Sequence, residues 1–474
     1  MTHIAGQSRY QMTLLPEALD ELIPADHQVR LIDAFVDTLK LEALGFTKAV
    51  AEATGRPPYW PGDLLKLYIY GYLNRVRSSR RLEREAQRNI EVHWLINRVR
   101  PAFKTIADFR KDHPQAIVGV CRAFTQFCRE QALFGAELLA IDGTKIGAVA
   151  SRRKVMTPKR IAKRTAAIDR RIAEYLAAMD EADRQETPAE KPSDVAAALE
   201  RLATERQRLQ EEAERLAREG LKQRVEGEPD AKLMRTPHGH QVAYNAQIAV
   251  DAKHKLIAAS ELTNDSNDHQ QLHPMALRGK EAVGAQQVTA LADAGYSNGE
   301  QGACCEQDAI TPIVPRAETV STTGRQYFSR NEFSYDPDTD TWRCPANAIL
   351  NLLTTWHTQK KKVYTSAACG TCPLRARCTP AKRRLIVRDF YEDARAAMHR
   401  RATGDPVWMK LRREIAEHPF GTMKWLMGNP RFLVRGLTKA RGEFALGVLS
   451  YNLKRAIKIL GVPGLLTALR PSVA

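Results

Sequence analysis

The sequence of 474 residues lacks any long hydrophobic run. No segment approaches the roughly 18 consecutive apolar residues of a membrane-spanning helix, and the polar start MTHIAGQSRY lacks the apolar core of a secretion signal. A Gly-rich phosphate loop is missing as well, so ATP dependence is not supported. We therefore expect a cytoplasmic protein with reduced thiols, in which the eight cysteines do not form a disulfide framework.

Acidic residues are outnumbered by basic ones. Lys and Arg total 72 against 55 Asp and Glu, which gives a formal net charge of +17 and a pI near 9.5. This balance favours a polyanionic partner, nucleic acid first of all, over a small neutral substrate. At about 150 residues per domain, the length allows roughly three domains.

Residues 1–130 are predicted to form a helical DNA-binding domain. The segment PGDLLKLYIYGYLNRV has the apolar surface of a core-facing helix, and Ser78 and Thr105 are placed to cap the basic helices that follow. Short capped helices with basic faces are typical of helix-turn-helix DNA binders. Each basic side chain alone is explained better by solvation, but as a cluster they favour DNA. The candidate DNA contacts are Arg80, Arg81, Arg84, Lys104, Arg110 and Lys111.

The rest of the chain is predicted to be α/β with a mixed central sheet. Apolar strand patterns recur at 137–150, 241–262, 288–296 and 310–315. From 158 to 222, Leu and Ile at spacings of three, four or seven predict an inserted antiparallel helical hairpin, whose role could be dimerisation, DNA contact or passive spacing. The expected units are the first part of the core (131–157), a coiled-coil hairpin (158–225), the continuation of the core (226–320), a small Cys-containing insertion (321–400) and the last part of the core (401–474).

Two carboxylates interrupt apolar strand patterns. Asp142 lies in ELLAIDGTKIGAVA, and Asp293 lies near the end of VTALADAGY. A buried charge is strongly unfavourable unless it is paired or bound to a metal. Hard divalent cations prefer carboxylate oxygens, and two such ions about 4 Å apart can drive phosphodiester cleavage. Either acid alone could be a satisfied buried group, but two acids on separate strands favour a metal site.

The segment LRREIAEHPFGTMKWLM offers Glu417 as a third acid. Arg413, Glu417 and Lys424 stand at offsets of zero, four and eleven, which at about 100° per residue places them within a narrow arc of a helix. Because an interior proline removes a helical hydrogen bond, Pro419 predicts a kink or a helix restart after Glu417. Two alternatives stay open. Glu414 lies only about 60° around the helix, and Arg413 and Glu417 could form a solvated ion pair.

Five stretches together resemble a known family. They are YIYGYLNRVRSSRRLEREAQRNIEVHWLINRVRPAFKTIADFRKDH, LLAIDGTKIGAV, YNAQIAVDAKHKLIAASELTNDSND, LADAGYSNGE and EHPFGTMK. With them the sequence resembles the bacterial insertion-sequence transposases of the acid-triad (DDE) type, which have an RNase H-like catalytic domain. The resemblance implies that Asp142, Asp293 and Glu417 are catalytic and hold two Mg²⁺ ions, for which Mn²⁺ can substitute. Lys410 stands where the family signature around the third acid has a tyrosine.

The resemblance also implies a reaction. Mg²⁺-dependent nicking at the ends of a mobile element would be followed by attack of the freed 3′-hydroxyl on target DNA, with Arg413 and Lys424 binding DNA beside Glu417. The implied partners are double-stranded DNA and further copies of the chain, in the bacterial nucleoid. Without the resemblance, the residue pattern predicts only metal-assisted phosphoryl transfer and not transposition. A nuclease without strand transfer and a non-catalytic DNA-binding repressor stay open as alternatives.

Four cysteines lie between the second and third acids, in WRCPAN and AACGTCPLRARC. Cys344, Cys369, Cys372 and Cys378 could complete a tetrahedral zinc site. Their spacing is not that of a standard pair of zinc knuckles, so a structural zinc ion and reduced, unligated thiols are both open. The other four cysteines are expected to be buried packing residues.

Overall fold

The structure is a computed structural model, and it describes residues 18–50, 57–184, 192–237, 239–316, 327–428 and 430–470. It has a mixed α/β architecture with a helical N-terminal region, a curled mixed sheet and a second, smaller sheet. In these ranges, no helix is both long and apolar enough to cross a membrane. The residues 185–191, which connect the two arms of the predicted hairpin, lie outside the described part.

Within the described residues, six helices form the N-terminal region. They are α1 (Gln28–Asp37), α2 (Pro61–Leu73), α3 (Ser79–Arg88), α4 (Ile90–Leu95), α5 (Phe103–Asp112) and α6 (Pro114–Glu130). The helix α2 is the central one, because its apolar residues are buried. Tyr68 of α2 donates a hydrogen bond to the Ile106 carbonyl at 2.7 Å, which ties α2 to α5. The predicted cap at Thr105 is wrong, because α5 begins at Phe103 and Thr105 lies in its first turn.

Six strands form the central sheet in the order β4-β5-β1-β7-β8, and β6 also pairs with β5. Their bounds are β1 Leu138–Gly147, β4 Lys232–Thr236, β5 Gly239–Asp251, β6 Ile257–Thr263, β7 Val288–Leu291 and β8 Ile310–Ile313. The strand β1 is antiparallel to β5 and parallel to β7, and Asp142 lies opposite Ile248. The helices α9 (Leu272–Val283) and α10 (Gly299–Gln307) make the crossovers before and after β7. All four predicted strand patterns form strands of this sheet.

The predicted helical hairpin is present as α7 (Pro158–Arg184) and α8 (Pro192–Arg218). Each helix is about 40 Å long at about 1.5 Å per residue. A parallel arrangement would require the short connection to span that whole length, which it cannot, so the two helices are antiparallel. The two helices share a small apolar cluster that includes Ile161, Ile168 and Leu209. A two-stranded ribbon of β2 (Val155–Met156) and β3 (Arg224–Val225) joins the hairpin to the rest of the chain.

The smaller sheet has five antiparallel strands with its own apolar core. The strands are β9 (Ser334–Asp336), β10 (Thr341–Arg343), β11 (Ile349–Trp356), β12 (Lys361–Thr365) and β13 (Ile386–Asp389), and the short helix α11 (Arg375–Cys378) lies between the last two. Trp342, Leu350 and Tyr364 are at the centre of this core. The sheet is therefore separate from the central one.

Three helices complete the fold: α12 (Glu392–Gly404), α13 (Val407–Met427) and α14 (Leu437–Leu469). The helix α13 runs through Pro419 without the predicted restart. Ala416 and Phe420, on either side of the proline, are buried, so packing holds the helix although one backbone hydrogen bond is missing. The backbone of α14 is broken at Gly461, where φ is +69°.

A buried ion cluster joins the N-terminal helices to α14. Glu443 is 1% exposed, and its Oε1 lies 3.8 Å from Nη1 of Arg110 and 3.9 Å from Nη2 of Arg77. The guanidinium of Arg110 also lies over the Tyr68 ring at 5.4 Å. Arg110 was predicted to bind DNA, but it is buried in this cluster, so we revise its role to a structural one. The helix α5 turns this side of its surface toward the core.

Candidate active site

The two predicted strand acids lie on either side of one guanidinium group. Asp142 is in the middle of β1, and Asp293 follows the end of the neighbouring parallel strand β7. Nη2 of Arg412, on α13, is 2.7 Å from Oδ1 of Asp142 and 3.4 Å from Oδ2 of Asp293. The pairing of β1 with β7 thus brings together two carboxylates that are far apart in the sequence.

The two carboxylates have different environments. The side chain of Asp142 is only 16% exposed, whereas that of Asp293 is 49% exposed. Burial raises the pKa of Asp142 to about 6, although Arg412 and a hydrogen bond from the Gly143 N–H lower it. Asp293 accepts a hydrogen bond from the Gly295 N–H at 2.8 Å, which fixes its loop. A cation between the two groups offsets the cost of burying charge.

The sequence did not single out Arg412, although it contains a signal for this residue. At offsets of four, seven and eleven from Arg412, α13 has Ala416, Pro419 and Met423, all buried. An arginine on the apolar stripe of a helix must find an internal partner. Its Nε is buried and has no hydrogen-bond acceptor among the described residues, so its two ion pairs are what compensate its burial.

A third carboxylate, Asp268, lies near this pair. Its Oδ1 accepts hydrogen bonds from the side-chain amides of Asn245 and Gln247, both at 2.7 Å, and lies 3.2 Å from Nζ of Lys145. The charge of Asp268 contributes to the raised pKa of Asp142. A Cβ atom at Gly143 would stand 2.3 Å from Nε2 of Gln247. Only glycine therefore fits beside this network.

Asp268 belongs to the polar segment TNDSNDHQ, whose side chains are also typical of turns. The useful signal was in β5, where Asn245 and Gln247 occupy alternate positions of an otherwise apolar strand. Both are 0% exposed. Buried amides need polar partners, and Lys145 joins the same network through Asp268.

The third predicted acid, Glu417, is exposed on α13 together with Arg413 and Lys424. The helix confirms that all three share an exposed surface, but Glu417 has no hydrogen bond or ion pair with any described residue, so the alternative pairing with Arg413 is not observed. Glu414 is exposed as well. The structure does not bring Glu417 into contact with the two strand acids.

The residues present fit a divalent metal in part. Two carboxylates converge on a single cationic group, and their oxygens are the ligands that Mg²⁺ prefers. Across the described ranges, however, no three His, Cys, Asp or Glu side chains stand close enough together to hold one ion. Arg412 therefore occupies the place between Asp142 and Asp293 where a bound cation would be stabilised.

The basic cluster of the N-terminal helices is largely at the surface. Arg80, Arg81 and Arg84 are exposed on α3, and Lys104 is exposed at the start of the neighbouring α5. The guanidinium of Arg80 lies 5.1 Å from the centre of the Phe103 ring, itself 40% exposed. Lys111 is also exposed but is paired with Asp108 and Asp112.

The four predicted zinc ligands lie around one pocket next to the smaller sheet. The pocket lining includes Cys344, Cys369, Cys372 and Cys378. Burial raises the pKa of the Cys378 thiol, and the charges of the other three also raise it, whereas Arg384 lowers it. The thiols are thus neighbours. They do not form a preformed metal site, because among the described residues no three of them are close enough together to hold one ion.

Cysteines outside the pocket are mainly packing residues. Cys121, Cys128 and Cys305 are buried, as predicted, while Cys304 is only half-buried. Burial raises the pKa of Cys121 and of Cys305 to about 12. These thiols therefore stay protonated at neutral pH and are poor nucleophiles.

Comparison with known proteins finds two matching family models. Residues 17–112 match the model described as Transposase domain (DUF772), and residues 343–457 match the one described as Transposase DDE domain. No curated protein and no solved structure matches the chain. The first match covers α1–α5, and the second contains Arg412, Glu417 and the four-cysteine pocket. Asp142 and Asp293 lie outside both matched ranges.

Proposed function

We propose that this chain, which its two matched domains make an insertion-sequence DDE transposase, binds the ends of its element. It then cuts DNA in a Mg²⁺-dependent reaction and joins the freed 3′ end to target DNA. The observation that carries the proposal is that the carboxylates of Asp142 and Asp293 both pair with the guanidinium of Arg412. Two acids brought together from separate strands, at the cost of a raised pKa, are typical of a functional site.

In this proposal, Asp142, Asp293 and Glu417 hold two Mg²⁺ ions, and Mn²⁺ can replace them. When bound, such ions activate the attacking oxygen and stabilise the leaving oxygen in phosphoryl transfer. Arg412 neutralises the two strand acids in the absence of metal. Glu417 is exposed on α13, about 140° around the helix from Arg412, so it would reach the strand acids only if α13 rearranges when metal binds.

Several side chains of this chain would bind and orient the DNA. Arg413 and Lys424 flank Glu417 on the exposed surface of α13 and would contact phosphates beside the reacting bond. The exposed basic cluster of α3 and α5 would bind the element end, since basic side chains supply most of the salt-dependent affinity for DNA. A homo-oligomer would hold two element ends together. The predicted domain boundaries remain part of this proposal.

The sheet order supports an RNase H-like core within the proposal. Its central strand β1 has an antiparallel neighbour on one side and two parallel strands on the other. The first acid lies on that central strand and the second at the end of the adjacent parallel strand, as the family resemblance implies. The small sheet and the four-cysteine pocket lie between β8 and α12, in the predicted Cys-containing insertion.

We also propose a structural zinc ion at the four-cysteine pocket. Four sulfur ligands suit tetrahedral zinc, and Cys344, Cys369, Cys372 and Cys378 already surround one cavity. The ion would have no part in the reaction. It would hold together a segment whose apolar core is small, since structural zinc sites contribute directly to folding.

The test uses a DNA duplex carrying an element end and a labelled target duplex. With Mg²⁺, the wild-type protein should nick the end and join it to the target. Asp142→Asn should bind the end normally and yield neither product, while Asp180→Asn, an exposed position on α7, should behave as wild type. Nicked DNA without joined product would instead indicate a nuclease. If Asp142→Asn changes no measurable activity, the protein is a non-catalytic DNA binder.

A further inference from the structure

Two arginine side chains pair with one buried carboxylate, and a third arginine is close enough to feel their charges. Arg316 follows β8, Arg330 precedes β9, and Arg395 is on α12. Oε1 of Glu392, which is 7% exposed, lies 2.7 Å from Nη2 of Arg316 and 3.3 Å from Nη1 of Arg330. Arg395 donates a hydrogen bond from Nε to Oγ of Ser297 at 3.2 Å.

Positive charge is in excess in this cluster. Burial lowers the pKa of Arg395, and the neighbouring charges of Arg316 and Arg330 lower it further, while Glu392 and Asp389 raise it. Burial is the largest cause, and Arg395 forms no ion pair with a described carboxylate that would offset it. The carboxylate of Asp389, which accepts a hydrogen bond from the Tyr391 N–H at 2.9 Å, also acts on Arg395, so three arginines face two carboxylates.

Some donors of the cluster have no acceptor. Nε of Arg316 and Nε of Arg330 are buried and make no hydrogen bond to any described residue, whereas Nη2 of Arg316 is in the ion pair with Glu392. Such unsatisfied donors are unfavourable, and oxygens of a bound anion would satisfy them. Planar guanidinium groups match the geometry of phosphate, which they bind through two parallel hydrogen bonds.

The cluster is linked to the candidate active site through one short segment of the chain. Ser297, to which Arg395 donates, is 3% exposed and belongs to the loop that follows Asp293. The short 3-10 helix Ala294–Tyr296 links the two residues. An anion held by the arginines would therefore be bound close to the second catalytic acid.

We propose that Arg316, Arg330 and Arg395 form an anion subsite that takes a backbone phosphate of the DNA strand held at Asp142 and Asp293. This inference rests on the proposed function. Glu392 arranges two of the guanidinium groups in the absence of DNA, and the excess positive charge is left for the phosphate.

Salt-dependent binding of an element-end duplex, measured by fluorescence anisotropy with a chelator present, tests the subsite. Loss of one phosphate contact lowers the slope of log affinity against log salt by about 1. Arg316→Gln and Arg395→Gln should show this change with roughly tenfold weaker binding. Arg400→Gln, which removes an exposed arginine from the same helix α12, should lose far less.

Two further measurements separate the subsite from an internal ion pair. A single uncharged methylphosphonate is placed at successive positions of the duplex. At one position it should weaken DNA binding by the wild type and leave DNA binding by Arg316→Gln unchanged. Glu392→Gln should bind DNA more tightly, because it removes the competing carboxylate; a purely internal pair predicts lower thermal stability and unchanged binding. Arginine variants with the wild-type slope and the wild-type methylphosphonate pattern would overturn the inference, while cleavage dependent on Asp142 would still uphold the proposed function.

Discussion

Asp142→Asn should make the protein more stable when no divalent metal is bound. Burial raises the pKa of Asp142 from 3.8 to about 6, even with Arg412 beside it. At about 1.4 kcal/mol per pKa unit, the ionised carboxylate destabilises the folded state by about 3 kcal/mol at pH 7. Asparagine has nearly the same shape and no charge to desolvate. We expect the free energy of unfolding to rise by about 1–3 kcal/mol, reduced from the full value because the amide binds Arg412 less strongly.

The gain should depend on pH in one direction. Because the pKa of Asp142 is higher in the folded state than in the unfolded state, the folded protein binds more protons between about pH 4 and pH 6. The wild type therefore loses stability from this group as the pH rises through that window. Below about pH 4 the carboxyl is neutral in both states, so the advantage of the variant should vanish there. The stability gain of Asp142→Asn over the wild type should reach its full size at pH values above the folded-state pKa of Asp142.

Thermal unfolding of both proteins in chelator, from pH 4 to pH 8, measures this difference. A change of 1 kcal/mol moves Tm by roughly 2–4 °C in a domain of 150–250 residues. Asp293→Asn is the matched control, since its side chain is half exposed and its Tm should change little. If Asp142→Asn melts below the wild type at pH 7, the ion pair with Arg412 outweighs burial and the reasoning is refuted.

Three other substitutions address the remaining sites. Glu417→Gln should abolish DNA cleavage and leave DNA binding intact, whereas Glu414→Gln should retain both cleavage and binding. If a cleavage assay shows that Glu414→Gln is inactive and Glu417→Gln is active, Glu414 is the third acid. Arg110→Gln should lower stability, by at most about 3–5 kcal/mol, because it leaves Arg77 as the remaining guanidinium partner of the buried Glu443. The exposed Arg81→Gln should change Tm little and weaken DNA binding in a titration. Cys372→Ser should reduce the zinc content measured by elemental analysis and lower Tm; a folded wild type free of zinc would contradict the proposed site.

Much of the secondary structure followed from local patterns. Period-two and period-3.6 hydrophobicity predicted the central strands, the helical hairpin and the helical N-terminal region, because burial of one face leaves its period in the sequence. Local rules failed where packing overrode them. Pro419 removes a hydrogen bond from α13, yet the helix continues through that position as one element, with Ala416 and Phe420 buried on either side.

The candidate site was predictable only in part. Asp142 and Asp293 could be identified because a charge inside an apolar strand is visible in the sequence. Arg412 was not, because its partners Asp142 and Asp293 are more than a hundred residues away. Asp268 was not either, because it comes from a separate loop and no spacing rule relates it to the amides of β5. Arg110 was misjudged for the same reason: its carboxylate partner, Glu443, comes from α14.

The sequence by itself determined the classes of element, the excess of positive charge and the two strand acids, since each depends on residues that are close along the chain. The tertiary structure decided which charged side chains face each other: Arg412 between Asp142 and Asp293, and Arg110 against Glu443. Burial makes an unpaired charge costly, so partners are selected by the fold rather than by sequence separation. Whether an arginine binds DNA or holds the core together is settled only when the helices pack.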